Sequence, residues 1–402
     1  METGKLVAPA LTAPAQQGRR LYYLDNLKVA LIVLVVLHHA AQPFGPTDWW
    51  YVPGSERASV LDSFTVLNGS FFMALFFAIS AYLVPAAYDR KGARAFVVGR
   101  LKRLGLPFVV GALTVVPLLM YVYYNVGRDY PAISFPDYYV NIFLGFGEKP
   151  AGWTGPTWPD LQFGHLWFIQ HLLLYCLLYA GWRVLSKRVR GQRRAPVERR
   201  PPSNWAVLAL VVFVGLLTAV IRVFYPVDEW EAVLDFIQIE IADIGQYATL
   251  FVIGLIAYRR GWLASFPARS GYLWLSIGAV LAAVYYIGQD WLDPYFAGGG
   301  ANLRQLAWSG YESALCVSLC VGLTVLFREK LSGASRFMRL LAADSFTVYI
   351  IHVPIVVLLQ LVLRETNAPA LAAFAVVGAG GVVASFAIGH YLRKLPALRG
   401  LL

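Results

Sequence analysis

The chain has 402 residues, of which 58% are hydrophobic and only 14% charged, against about a quarter charged in an ordinary soluble domain. Its net charge of +11 sits in short basic segments between apolar runs, with no aromatic-interleaved basic module, which excludes a nucleic-acid binder. The three cysteines lie inside apolar runs; Cys316 and Cys320 are four apart but have no His or third Cys near them in sequence, so neither a metal site nor a disulfide framework is expected.

In chain order, residues 1–20 (METGKLVAPALTAPAQQGRR) are rich in Ala and Pro, and their apolar piece is too short and broken for a signal peptide. They read as a disordered cytoplasmic tail. Apolar runs bounded by charge, Pro and Gly then mark ten spans, near 24–43, 62–86, 104–126, 164–185, 205–225, 243–260, 271–288, 308–327, 344–364 and 369–391. Residues 21–392 form one transmembrane domain, and 393–402 a short cytoplasmic tail. The expected fold is all-α, a polytopic membrane helix bundle of about ten transmembrane helices with both termini cytoplasmic.

The loops supply the orientation. With the N-terminus inside, 27 of the 34 Lys and Arg residues fall on the inner side, six on the outer side, and Lys28 within the first span. That is the positive-inside bias, repeated at every loop. There is no internal repeat of fixed period, and no inverted pair of Gly/Pro-broken helices of the kind many transporters carry. The basic segment 186–204 enforces topology and could touch anionic headgroups. Trp49, Trp50, Tyr51, Trp153 and Trp158 occupy outer loops, where they suit an interfacial belt and could also stack on a sugar.

Polar groups inside a span are costly and need a partner or a function. The first span, LDNLKVALIVLVVLHHAAQPF, holds Asp25, Lys28, His38 and His39. Lys28 and His39 are eleven positions apart, which on an α-helix returns to the same face within about 20° and separates them by about 16 Å. His38 falls about 80° away, and Asp25 can pair with Lys28 near the inner surface. Two readings fit this stripe. Lys28 snorkels while His39 bonds a neighbouring helix, or the two serve a reaction whose partners come from opposite sides.

Four segments resemble the acyltransferase-3 family of integral membrane enzymes. LDNLKVALIVLVVLHH is similar to the family's opening signature, a basic residue eleven positions before a histidine, with Lys28 where most members have arginine. FVVGRLKRLGLPFVV carries an R-x-x-R in Arg100 and Arg103. GHLWFIQHLLLY, with His165 and Trp167, resembles the branch that includes glucan-biosynthesis acyltransferases; the glutamate many members carry one turn later is absent, those positions reading Gln170, His171 and Leu172. LAADSFTVYIIHVPIV looks like the family's late Ser-x-x-x-Tyr-x-x-His helix, with Ser345, Tyr349 and His352.

The resemblance implies a multi-pass cell (inner) membrane enzyme moving an acyl group, acetyl by default and succinyl as the alternative, from cytosolic acyl-CoA to a hydroxyl of a periplasmic or surface carbohydrate. It implies no permanently bound cofactor; acyl-CoA is a co-substrate, and the other partners are the acceptor and the lipid bilayer. His39 becomes the general base or transient acyl carrier, grouped with Lys28 and Asp25. Arg100, Arg103 and Lys28 become holders of the donor's phosphates or pantetheine carbonyls, and His165, Trp167, Ser345, Tyr349 and His352 further members of the site. The competing readings are a transporter whose pathway those polar residues line, and a sensor or scaffold without turnover.

Overall fold

A computed structural model describes residues 21–401, apart from 46–48, 55, 129, 156, 191–199, 228, 229, 234–236, 297, 298 and 399. The tail assigned to residues 1–20 and residues 191–199 of the basic segment 186–204 therefore lie outside the described residues. Ten helices are long and apolar enough to cross a membrane. They are α1 (Tyr22–Ala41), α2 (Ser59–Lys91), α3 (Ala93–Val126), α4 (Trp167–Arg190), α5 (Asn204–Arg222), α6 (Ile241–Arg260), α7 (Ala268–Phe296), α8 (Leu303–Lys330), α9 (Arg336–Arg364) and α10 (Ala370–Leu392). Each corresponds to one expected span. Several outrun the apolar segment by one or two turns, because helical hydrogen bonding continues among the polar residues at the interface.

The exception to an all-α chain is small. Trp230–Val233 pairs antiparallel with Ile237–Glu240 between α5 and α6. Gln238 ties this hairpin to the segment that leads into α4. Its Nε2 donates to the Leu161 carbonyl (3.1 Å), and its Oε1 accepts from the Phe163 N–H (2.8 Å).

Lipid tails are as apolar as leucine, so helices in a bilayer associate by close packing and by polar contacts rather than by the hydrophobic effect. Both devices are present. At Gly254 of α6, a Cβ would sit 2.3 Å from the Ala78 carbonyl oxygen of α2, so only glycine allows that approach. In the other class, Arg222 at the end of α5 is 1% exposed and pairs with Asp243 of α6 (2.8 Å) and Glu312 of α8 (2.5 Å). The Tyr247 hydroxyl also donates to Asp243 (2.9 Å). α1 lies centrally, against α2, α8, α9 and α10, whereas α7 packs on α8 at the periphery. The first span therefore delivers its polar residues to the middle of the bundle.

Candidate active site

The C-terminal half of α1 meets α9 through two imidazoles. His39 Nδ1 lies 3.0 Å from His352 Nε2 and 3.0 Å from the Val35 carbonyl. His352 Nδ1 faces the Tyr349 (2.8 Å) and Val348 (3.2 Å) carbonyls. A carbonyl only accepts, so both Nδ1 atoms carry the proton. Neither ring has a carboxylate partner among the described residues, which fits a neutral pair. His352 Nε2 is then a lone pair accepting from His39 Nδ1–H. This leaves the other His39 nitrogen, Nε2, bare and without a hydrogen bond among the described residues. The arrangement fixes one histidine in the tautomer a base or nucleophile needs.

Two prolines explain why other side chains gather here. Pro354 has no N–H to bond the Ile350 carbonyl one turn back, and His165 Nε2–H takes that carbonyl instead at 2.9 Å. Pro43 likewise cannot donate to the His39 carbonyl, which accepts from Gln360 Nε2 (3.2 Å). Gln360 Oε1 in turn accepts from the Trp50 indole (2.8 Å), and Trp50 stacks on the His39 ring at 5.5 Å and 19°. The Tyr349 hydroxyl donates to the His165 carbonyl, and the His165 ring stands edge-on to His352 at 5.1 Å. His165 Nδ1 is buried and unpartnered. Just before it, Gly164 adopts φ +47°, and a Cβ there would lie 2.9 Å from the Tyr51 hydroxyl.

Not every expected residue joins this group. His38 turns away onto Phe72 (4.9 Å between rings), its Nε2 held by Gln42 at 2.8 Å. Trp167 packs on Tyr247 (5.6 Å, 29°) and against Trp230, and Ser345 donates to the Leu341 carbonyl of its own helix (2.9 Å). His171 donates to the Trp167 carbonyl (2.8 Å) and leaves Nε2 buried and unpartnered.

At the N-terminal end of α1, Lys28 pairs with Asp25 at 3.2 Å. Both line an open cavity of about 530 Å³ together with Lys102, Arg103, Arg393 and Phe346. Of its four cations, Lys28 is paired with Asp25 and Arg393 with Asp344 (2.7 Å), so Lys102 and Arg103 give the cavity the net positive charge that suits a phosphate or another polyanion. Arg100 is not part of it. Its guanidinium lies over the Phe96 ring at 5.0 Å. In an α-helix, residues three apart share a face, but Leu101–Gly105 forms a π-turn, with the Leu106 N–H donating to the Leu101 carbonyl. That wider turn separates the directions of Arg100 and Arg103.

The segment between α3 and α4 is braced by a buried pair, Arg128 to Asp160 at 2.9 and 3.3 Å, with the Tyr138 hydroxyl donating to the same carboxylate at 2.8 Å. Burial raises the pKa of the Asp160 carboxyl, and Arg128 and Tyr138 oppose that rise. Burial also pushes the Tyr51 hydroxyl well above its ordinary value, so it stays neutral.

A family model described as an acyltransferase domain matches residues 21–390. The chain belongs to the acyltransferase-3 family. It is a multi-pass membrane acyltransferase. Among curated proteins it is similar to glucans biosynthesis protein C of Escherichia coli (strain K12), 24% identical over 359 residues, covering 85% of this chain and 83% of that one. The same protein of strains SMS-3-5 / SECEC and O139:H28 (E24377A / ETEC) matches at equal identity and coverage. No solved structure matches.

Sequence reasoning did not single out Pro354, Gln360, Lys102 or Arg393, and had Trp50 as an interfacial ring that could also stack on a sugar, not as a neighbour of His39. Pro354 had a signal, since a proline two residues after an intramembrane histidine frees a carbonyl nearby. The other contacts are tertiary and leave none in one chain.

Proposed function

We propose that this acyltransferase moves an acyl group, acetyl by default and succinyl as the alternative, from acyl-CoA to a hydroxyl of a carbohydrate on the outer side of the cell membrane. The observation that carries the reading is the polarity of α1. A cation-lined cavity opens at one end, and a histidine with a bare Nε2, its tautomer set by His352, stands near the other. The positive-inside bias supports a cytoplasmic cavity, on the side where acyl-CoA resides. Lys28, Lys102, Arg103 and Arg393 hold the donor's phosphates. The extended pantetheine arm has a reach of the same order as the about 16 Å rise from Lys28 to His39.

His39 Nε2 takes the proton of the acceptor hydroxyl as its oxygen attacks the thioester carbonyl; the C–S bond breaks and the thiolate leaves as CoA after protonation. In the carrier variant, Nε2 itself attacks and the C–S bond breaks; His352 Nε2 takes the Nδ1 proton and passes it to the departing thiolate, and the hydroxyl then displaces the acyl group and returns its proton to His39. The acceptor class rests on the relatives, whose name places them in glucan biosynthesis. The test is acyl transfer from labelled acyl-CoA to glucose oligosaccharides by the purified protein in lipid nanodiscs. CoA release and ester formation in equal amounts support the reading. Neither product from any acyl-CoA and glucan pair refutes it.

A further inference from the structure

His39 is flanked by rings. Trp50 is held by Gln360 and stacked on His39, and the Trp49 ring lies 6.3 Å beyond it, edge-on to Tyr51 (6.1 Å) and Tyr123 (6.4 Å). Tyr123 is fixed from its other side by the Arg128 guanidinium (4.8 Å), which also lies on Trp153 (4.6 Å) and is locked to Asp160. The rings beneath Trp49 are thus immobilised. Trp49 itself is 43% exposed, whereas Trp50 is 8% and Tyr51 3%. An exposed indole at the membrane surface is ordinary in a lipid-facing belt. This one is only two ring contacts from the histidine whose Nε2 is bare.

We propose that Trp49 is the platform on which a pyranose ring of the acceptor stacks, so that a hydroxyl of that ring or of the adjoining sugar reaches His39 Nε2 past Trp50. The inference rests on the carbohydrate reading above and adds the residue that recognises the sugar. The C–H groups on one face of a pyranose form an apolar, electropositive patch that complements the negative face of an indole. A rigid aromatic surface binds it with little loss of side-chain freedom. Because stacking ignores most hydroxyl positions, Trp49 governs affinity for the sugar rather than the choice of reacting hydroxyl.

The experiment compares wild type, Trp49→Ala, Trp49→Phe and Trp205→Ala in nanodiscs. Trp205 is a 79% exposed indole at the far end of α5 and serves as the belt control. Acetyl-CoA and glucose oligosaccharides of graded length are the substrates, with oligosaccharide binding also measured by calorimetry. The proposal expects Trp49→Ala to raise the acceptor KM and weaken oligosaccharide binding about tenfold, with the acetyl-CoA KM unchanged. Trp49→Phe should lose only about threefold, and Trp205→Ala nothing. Transfer to glucan with an unchanged acceptor KM in Trp49→Ala overturns the platform alone, as does an equal loss in Trp205→Ala. Failure of the wild type to bind or acylate any oligosaccharide overturns the carbohydrate reading and the platform with it.

Discussion

Replacing His352 separates a positioning role from a chemical one. His39 Nδ1–H has two acceptors, the Val35 carbonyl and His352 Nε2, each at 3.0 Å. In His352→Leu the buried ring is exchanged for an apolar side chain, and His39 keeps only the Val35 carbonyl. One net hydrogen bond is worth about 1 kcal/mol, so kcat should fall about five- to tenfold through loss of tautomer and ring orientation. Removing His39 itself removes the base, at a cost of about 10²- to 10⁴-fold. His352→Gln brings an amide oxygen to the position of Nε2 and should stay within about threefold of wild type. The assay is CoA release against donor and acceptor concentration, with thermal unfolding in detergent as the folding control; KM for both substrates should hold while kcat moves. A folded His352→Leu that is as inactive as His39→Ala would make His352 a reacting group. One at the wild-type rate would remove the imidazole pair from the mechanism.

Two further substitutions follow from the same geometry. Arg222→Met leaves Asp243 and Glu312 buried without their cation and should destabilise the protein by about 3–5 kcal/mol, read as a lower unfolding temperature; Glu312→Gln in the same chain should recover part of it. On the inner side, Arg103→Ala should raise the acyl-CoA KM about tenfold, since it removes one of four cations from the cavity, and Arg100→Ala less than threefold, since Arg100 lies on Phe96; steady-state kinetics at low salt distinguishes them.

The ten spans were legible because hydrophobic length and loop charge are local properties, and the alternation of basic and non-basic loops constrains the count. The Asp25–Lys28 pair follows from spacing alone and is present at 3.2 Å. The histidines could be singled out one by one, as costly groups in apolar runs, but not assembled. His39, His165 and His352 come from three helices, and Ile350 is available to His165 only because Pro354 breaks the ladder of α9. Arg100 and Arg103 were legible as an R-x-x-R pair, but the π-turn at Leu101–Gly105, and the lining of the cavity by Arg103 and not Arg100, leave no signal in the spacing. The hairpin at Trp230–Val233 and Ile237–Glu240 was missed because two four-residue strands give too short a pattern beside the long apolar runs.

The central claim is that His39, and not its neighbour His38, performs the transfer. Membranes containing wild type, His39→Ala or His38→Ala, supplied with acetyl-CoA labelled in the acetyl group, report it directly through CoA release and label in the glucan fraction. The account predicts turnover in wild type and in His38→Ala, whose ring faces Phe72 and Gln42, and a loss of at least about a hundredfold in a folded His39→Ala. Equal label transfer in all three proteins would contradict it.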